Sequence, residues 1–220
     1  MDSSTAAAMV RADGYELHAL AIAYGQRQGH ELACATKLAD ALGAASFRIV
    51  TVDLGALGGS ALTDEIDVPK DRDHASIGAG IPVTYVPARN TVFLAVALAA
   101  AEACGAEALV IGVNALDYSG YPDCRPEFIE AFERVAALGT KAGVEGTPIR
   151  VLTPLIAMSK AEIAAKGHEL GVPFEHTLSC YDPIEQGGAW LPCGRCDACA
   201  LRAKGFAEAG LMDPALGGQA

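Results

Sequence analysis

Four cysteines gather near the C-terminal end: Cys180, then twelve residues, then Cys193-Gly194-Arg195-Cys196-Asp197-Ala198-Cys199. Two C-x-x-C steps share Cys196, so three sulfurs can converge from one tight turn while Cys180 closes a tetrahedron from a distant strand or loop, the donor set of one zinc ion. Four protein ligands leave no position for a substrate, which makes such a site structural rather than catalytic. The competing use of the same thiols is a free or redox-active set. The total of seven cysteines is odd and the clustering is tight, a pattern of metal binding in a reducing compartment rather than of disulfides. Cys34 and Cys104 lie in helix-patterned stretches and are expected as small core residues. Cys124 sits in a polar loop and has no assigned role.

That loop is the second concentration of chemistry. Between Gly112 and Arg125 it holds two carboxylates (Asp117, Asp123), two aromatic rings (Tyr118, Tyr121) and the Arg125 guanidinium. Such a set can stack a flat heterocycle, accept hydrogen bonds from its N–H edge and clamp an anion. A solvated turn built on Gly120 and Pro122 would use the same residues. Arg89-Asn90 and Tyr24-Gly25-Gln26-Arg27 lie where strands give way to helices, and each can be read as a cap, a surface turn or part of a site.

Short β-rich runs alternate with helix-patterned stretches, the pattern of a mostly parallel sheet with helices on both faces. Strands are expected at Tyr15 to Ile22, Phe47 to Leu54, Ala108 to Val113 and Ile149 to Leu152. Helices are expected from about Ser3 to Ala12 and Glu31 to Leu42, with Gly14 and Gly43 as left-handed C-caps. A third opens with Asn90 as N-cap and looks buried on most sides. The fourth has Pro126 in its first turn and faces the core with Phe128, Phe132 and Val135. The fifth starts on Ser159-Lys160-Ala161-Glu162, a capping box, and ends near Gly171. Leu57 to Pro82, Asp117 to Arg125 and Cys180 to Cys199 break the rhythm, and loops of such length tend to be functional. In an open α/β sheet ligands sit beyond the carboxyl ends of the strands, which directs attention to Asn114 to Arg125.

With 16 Lys and Arg against 27 Asp and Glu, the formal charge is −11, and 51% of the 220 residues are hydrophobic. That is enough for a core and excludes disorder as the dominant state. The acidic balance disfavours a surface that wraps nucleic acid. The longest apolar run, Val92 to Ala101, is well short of the ~20 residues needed to cross a bilayer, and the first residues carry no export signal, so a cytoplasmic protein with no membrane partner is expected.

Taken together, Tyr24-Gly25-Gln26-Arg27, Pro87-Ala88-Arg89-Asn90, Gly112-Val113-Asn114, Asp117 to Arg125, Thr153-Pro154-Leu155, Ser159 to Glu162 and the four terminal cysteines resemble the 7-cyano-7-deazaguanine synthase family over practically the whole chain. The resemblance implies an α/β fold of the adenine-nucleotide hydrolase-like, ATP-pyrophosphatase type. Residues 1–175 would form its nucleotide- and substrate-binding domain, and residues 176–220 a zinc-binding segment packed on it. It implies an ATP-dependent ligase that turns 7-carboxy-7-deazaguanine and ammonia into 7-cyano-7-deazaguanine, with one structural zinc, magnesium accompanying ATP, and a homodimer. On the matching positions, Asp2, Ser3 and Ser4 would bind nucleotide, Asp2 and Lys160 would act on the phosphates, and Arg89, Asn90, Asp117, Tyr118, Asp123 and Arg125 would bind the heterocycle. Cys180, Cys193, Cys196 and Cys199 would hold zinc.

Two departures stand out. The family's nucleotide loop reads S-G-G-x-D-S after an apolar strand, and here Met1 takes the x position, leaving Asp2 and Ser3. The missing glycines would let backbone N–H groups approach phosphate at a helix N-terminus, and the missing strand would leave an apolar edge, so a longer natural N-terminus is expected. Gln28 stands where the family often has histidine, with His30 two positions on. Two other readings remain. A tRNA-thiolating enzyme of the same fold would need a catalytic cysteine, for which Cys124 is available. A zinc-stabilised heterocycle-binding protein would need no catalysis at all.

Overall fold

The computed structural model describes residues 1–25, 30–77, 80–116 and 120–215. Helix α1 (Asp2–Ala12) leads into strand β1 (His18–Ala23), helix α2 (His30–Ala41) and strand β2 (Ser46–Thr51). β1 and β2 run parallel in register from His18 opposite Ser46 to Ala23 opposite Thr51. A long connection containing the short helix α3 (His74–Ile77) precedes α4 (Arg89–Cys104) and strand β3 (Ala108–Val110). Then come α5 (Pro126–Gly139), the short α6 (Lys141–Val144) and β4 (Arg150–Leu152), which pairs parallel with β3. Helix α7 (Lys160–Glu169), an antiparallel hairpin of β5 (Ile184–Gln186) and β6 (Ala189–Leu191), and α8 (Asp197–Glu208) complete the fold.

Parallel strand–helix–strand units are present as the alternation predicts, but among the described residues they form two separate two-stranded ribbons rather than one sheet. β1 has no fully buried residue, and Val110 of β3 is partly exposed, so apolar strand residues keep access to solvent. α1 and α2 end as the sequence foretells. Tyr15 N–H returns to the Val10 carbonyl and Ala44 N–H to the Ala39 carbonyl, around Gly14 and Gly43 in positive φ. The Ser159–Glu162 capping box opens α7.

Three expectations need correction. Asn90 is not the N-cap of α4: Ala88 is, with φ +54°, and Asn90 lies buried inside the first turn. α5 turns Ile129, Phe132 and Ala136 inward, with Phe128 only at the rim and Val135 53% exposed. Proximity to Pro126 fixes the helix start, but the packing partner fixes its rotation, and here Leu94 and Leu98 of α4 set the face. Cys104 is exposed at the end of α4, and Cys34 is half-buried, so neither is a core filler.

α7 lies between α1 and α8. Its packing buries Leu155, Ile163 and Phe174 with Ala6 and Ala8 from the first helix and Phe206 from the last, so the C-terminal segment shares a core with the rest. The approach to α8 is close because position 205 is glycine: a Cβ there would stand 2.7 Å from Cβ of Lys160. No helix of the described residues is long and apolar enough to cross a membrane.

Candidate active site and metal centre

The cysteines converge from three places. Cys180 precedes the hairpin, Cys193 follows β6, Cys196 is the N-cap of α8, and Cys199 lies in that helix's first turn. All four Sγ atoms lie within 4.8 Å of one another. The Cys180–Cys196 and Cys196–Cys199 separations are 4.0 and 3.5 Å. A tetrahedron of thiolates on one metal has sulfur edges of about 3.8 Å, so the donor set could hold a metal ion. Cys193 N–H donates to Cys180 Sγ at 3.2 Å and Arg195 N–H to Cys193 Sγ at 3.5 Å. Hydrogen bonding with Cys180 and Cys199 lowers the pKa of the Cys196 thiol, and the same contact with Cys196 raises that of Cys180.

At the other end of α8's neighbourhood, the N-terminus of α1 meets the start of α7. Lys160, only 7% exposed, places Nζ 2.5 Å from Asp2 Oδ2. The second carboxylate oxygen, Oδ1, is buried and has no hydrogen-bond partner among the described residues. Ser4 Oγ donates to the Met1 carbonyl at 2.7 Å and is thereby committed to the helix start, whereas Ser3 is exposed. The carboxyl end of β3 closes over this turn: Gly112 admits the backbone of Ser3, which a Cβ would strike at 2.7 Å. Asn114 Nδ2 then donates to the carbonyls of Leu155 and Met158, tying the strand end to the turn before α7. A cleft of about 160 Å³ opens here, lined in part by Asp2, Glu31, Lys160, Ser179, Tyr181 and Arg202.

The expected substrate residues form a second group. Asp123 Oδ2 accepts from Asn90 N–H at 2.9 Å, while Asn90 Nδ2 donates to the Asp123 carbonyl at 3.0 Å and to Cys124 Sγ at 3.2 Å. A carboxylate 33 residues away in the chain thus does what a local cap would have done for the first turn of α4. The Arg89 guanidinium stands 5.7 Å from the Tyr24 ring and 5.9 Å from Phe93. Burial opposes its charge, but Tyr24, Tyr121 and Tyr181 outweigh this and hold its pKa above the usual value. Burial also pushes the Tyr24 phenol up to about 12. Tyr121 hydroxyl is 3.1 Å from Thr84 Oγ1 and 3.3 Å from Tyr181 hydroxyl. Arg125 is exposed at the start of α5. Asp117 and Tyr118 lie outside the described residues, as do Gln26, Arg27 and Gln28.

Cys124 is buried, and desolvation followed by the Asp123 charge pushes its thiol up to about 11, so it is a protonated thiol at neutral pH rather than a nucleophile. His30 is 5% exposed, with its ring 5.5 Å from that of Trp190 on the hairpin and both nitrogens without a hydrogen-bond partner among the described residues; burial lowers its pKa. Sequence reasoning missed Glu31, Ser179, Tyr181 and Arg202 of the cleft. The one signal available was the adjacency of Ser179 and Tyr181 to the ligand Cys180.

The family model for the queuosine biosynthesis protein QueC matches residues 1–210. Among similar proteins is the 7-cyano-7-deazaguanine synthase of Anaeromyxobacter dehalogenans (strain 2CP-C), 61% identical over 215 residues, which cover 97% of this chain and 90% of that protein. The synthase of Myxococcus xanthus (strain DK1622) is 56% identical over 97% of this chain and 92% of its own length. That of Rhodopirellula baltica is 55% identical over 99% and 88%. The match runs through the α1 corner, the α4 start and the four cysteines alike, and this chain belongs to the family of the queuosine biosynthesis protein QueC.

Proposed function

We propose that the chain is an ATP-dependent synthase that converts 7-carboxy-7-deazaguanine and ammonia to 7-cyano-7-deazaguanine. The observation that carries this reading is identity above half to proteins named for that product, along nearly the whole chain. A carboxylate resists ammonia until one oxygen becomes a leaving group. Nucleotidyl or phosphoryl transfer from ATP supplies that group; nitrogen then adds, protons leave, and the amide forms. A second transfer to the amide oxygen, with loss of the remaining N–H protons, expels that oxygen and leaves the nitrile.

In this reading the Asp2–Lys160 corner serves the phosphates. Lys160 balances phosphate charge, and Ser3 lies at the helix end where phosphate is favoured. The orphaned, buried Asp2 Oδ1 fits a hard cation such as magnesium, which would neutralise charge on ATP. Arg89, held by Tyr24 and Phe93, is suited to the substrate carboxylate, with Asp117, Tyr118 and Arg125 from the 112–125 loop on the heterocycle. Asp123 and Asn90 contribute by fixing the start of α4 that carries Arg89. Zinc on Cys180, Cys193, Cys196 and Cys199 would be structural, since all four positions are protein sulfur. A homodimer resident in the cytoplasm, with no nucleic-acid or membrane partner, belongs to the same reading.

Ammonium- and ATP-dependent nitrile formation, followed by mass, tests it. Binding of the heterocycle without product would instead mark a non-catalytic binding protein. A protonated, buried Cys124 speaks against the thiolation alternative.

A further inference from the structure

The four-cysteine knuckle touches more of the molecule than a staple requires. Lys70, Asp71 and Arg72, consecutive in the long connection before α4, alternate in charge, and each meets the opposite charge on or beside the knuckle. Lys70 Nζ lies 2.7 Å from Asp182. Asp71 accepts from Arg195 Nε at 3.0 Å and from its Nη2, and Arg72 Nε donates to Asp197 Oδ1 at 3.1 Å, with Nη2 on Oδ2. The backbones join too: Asp71 N–H donates to the Arg195 carbonyl at 2.8 Å, and Lys70 forms an antiparallel bridge with Cys196.

Single exposed ion pairs hold little. Three in consecutive register, with two backbone links and a nearly buried Asp197, define one docking register for the segment. Two residues earlier, Val68 packs against the cysteine cluster and also against the Tyr24, Leu54 and Val86 cluster under Arg89. Tyr181, next to Cys180, bridges the same two clusters, reaches the Tyr121 hydroxyl and lines the cleft.

We propose that residues 68–72 are a strap through which the cysteine knuckle positions Tyr181 and the Tyr24–Arg89 group that faces the substrate, with Lys70, Arg72, Asp182 and Asp197 as positioning residues. Only the identity of the substrate rests on the synthase reading.

The test is hydrogen exchange on the full chain, loaded with zinc and stripped of it by a chelator. Stripping is expected to speed exchange across residues 68–73 by about tenfold or more while that of β1–β2 stays unchanged. Lys70→Asp, at an exposed site that does not threaten folding, is expected to speed both strap exchange and zinc release to the chelator by about threefold. Lys70→Asp with Asp182→Lys restores the ion pair in reverse and is expected to return both to wild-type rates. The dissociation constant for 7-carboxy-7-deazaguanine should rise and recover in parallel. Strap exchange indifferent to zinc, or a charge-swapped variant no better than the single one, overturns the proposal. Exchange and zinc release need no turnover, so a chain that forms no nitrile leaves these outcomes readable.

Discussion

The cysteine knuckle and the Asp2–Lys160 corner border the same cleft, and they spend their polar groups in opposite ways. In the knuckle, sulfur meets sulfur, backbone N–H groups point at sulfur, and the surrounding charges are paired. At the corner, a nearly buried lysine faces a carboxylate with one oxygen left unmatched among the described residues, beside an open cleft. A closed donor set stabilises a fold; an unmatched buried acceptor costs stability and is kept where a ligand will complete it.

The largest effects should come from breaking the closed side. Cys196→Ser is expected to abolish metal binding and lower the melting temperature by about 10 °C or more, read by metal analysis and calorimetry. Full metal content and unchanged melting would remove the four-thiolate assignment. At the open side, Lys160→Ala should leave metal content intact while lowering nitrile formation by about 10²-fold or more. It should also lower stability by about 2 kcal/mol, because Asp2 would lose its partner in a largely buried place. If Lys160→Ala instead released metal, the two regions would not be separate in kind.

Asp123→Ala tests the cap on α4 and is expected to cost about 1–2 kcal/mol in denaturant unfolding. Its effect on the heterocycle should fall on KM, through a displaced Arg89. Smallest is the Ser159–Glu162 box. Bonds from the Ser159 N–H and hydroxyl lower the Glu162 pKa below its usual 4.5. The contribution is therefore present above the unfolded pKa and lost as pH falls through the lower folded value, and Glu162→Gln should flatten stability against pH only in that acid range.

What could be read along the chain was local. Gly14 and Gly43 ended their helices, and Ser159 with Glu162 opened one, because a cap needs only neighbours within four residues. The hairpin and α8 escaped notice within the cysteine-rich segment, although Gly187-Gly188 marks the turn and Asp197 the helix start. The inward face of α5 was misjudged by one residue step, since Phe128, Phe132 and Val135 satisfy the helical period as well as Ile129, Phe132 and Ala136 do.

By itself, then, the sequence determined the strand–helix alternation, the caps at Gly14, Gly43 and Ser159, and a four-cysteine set that could hold a metal ion, all set by spacing and residue type over short distances. Only the tertiary structure decided that Asp123 rather than Asn90 secures the first turn of α4, that Lys160 pairs with Asp2 across 158 residues, and that Lys70 to Arg72 lie along the knuckle. Those contacts depend on how α1, α7 and α8 pack, and packing is settled by shape and volume summed over the whole core rather than by any local run of residues.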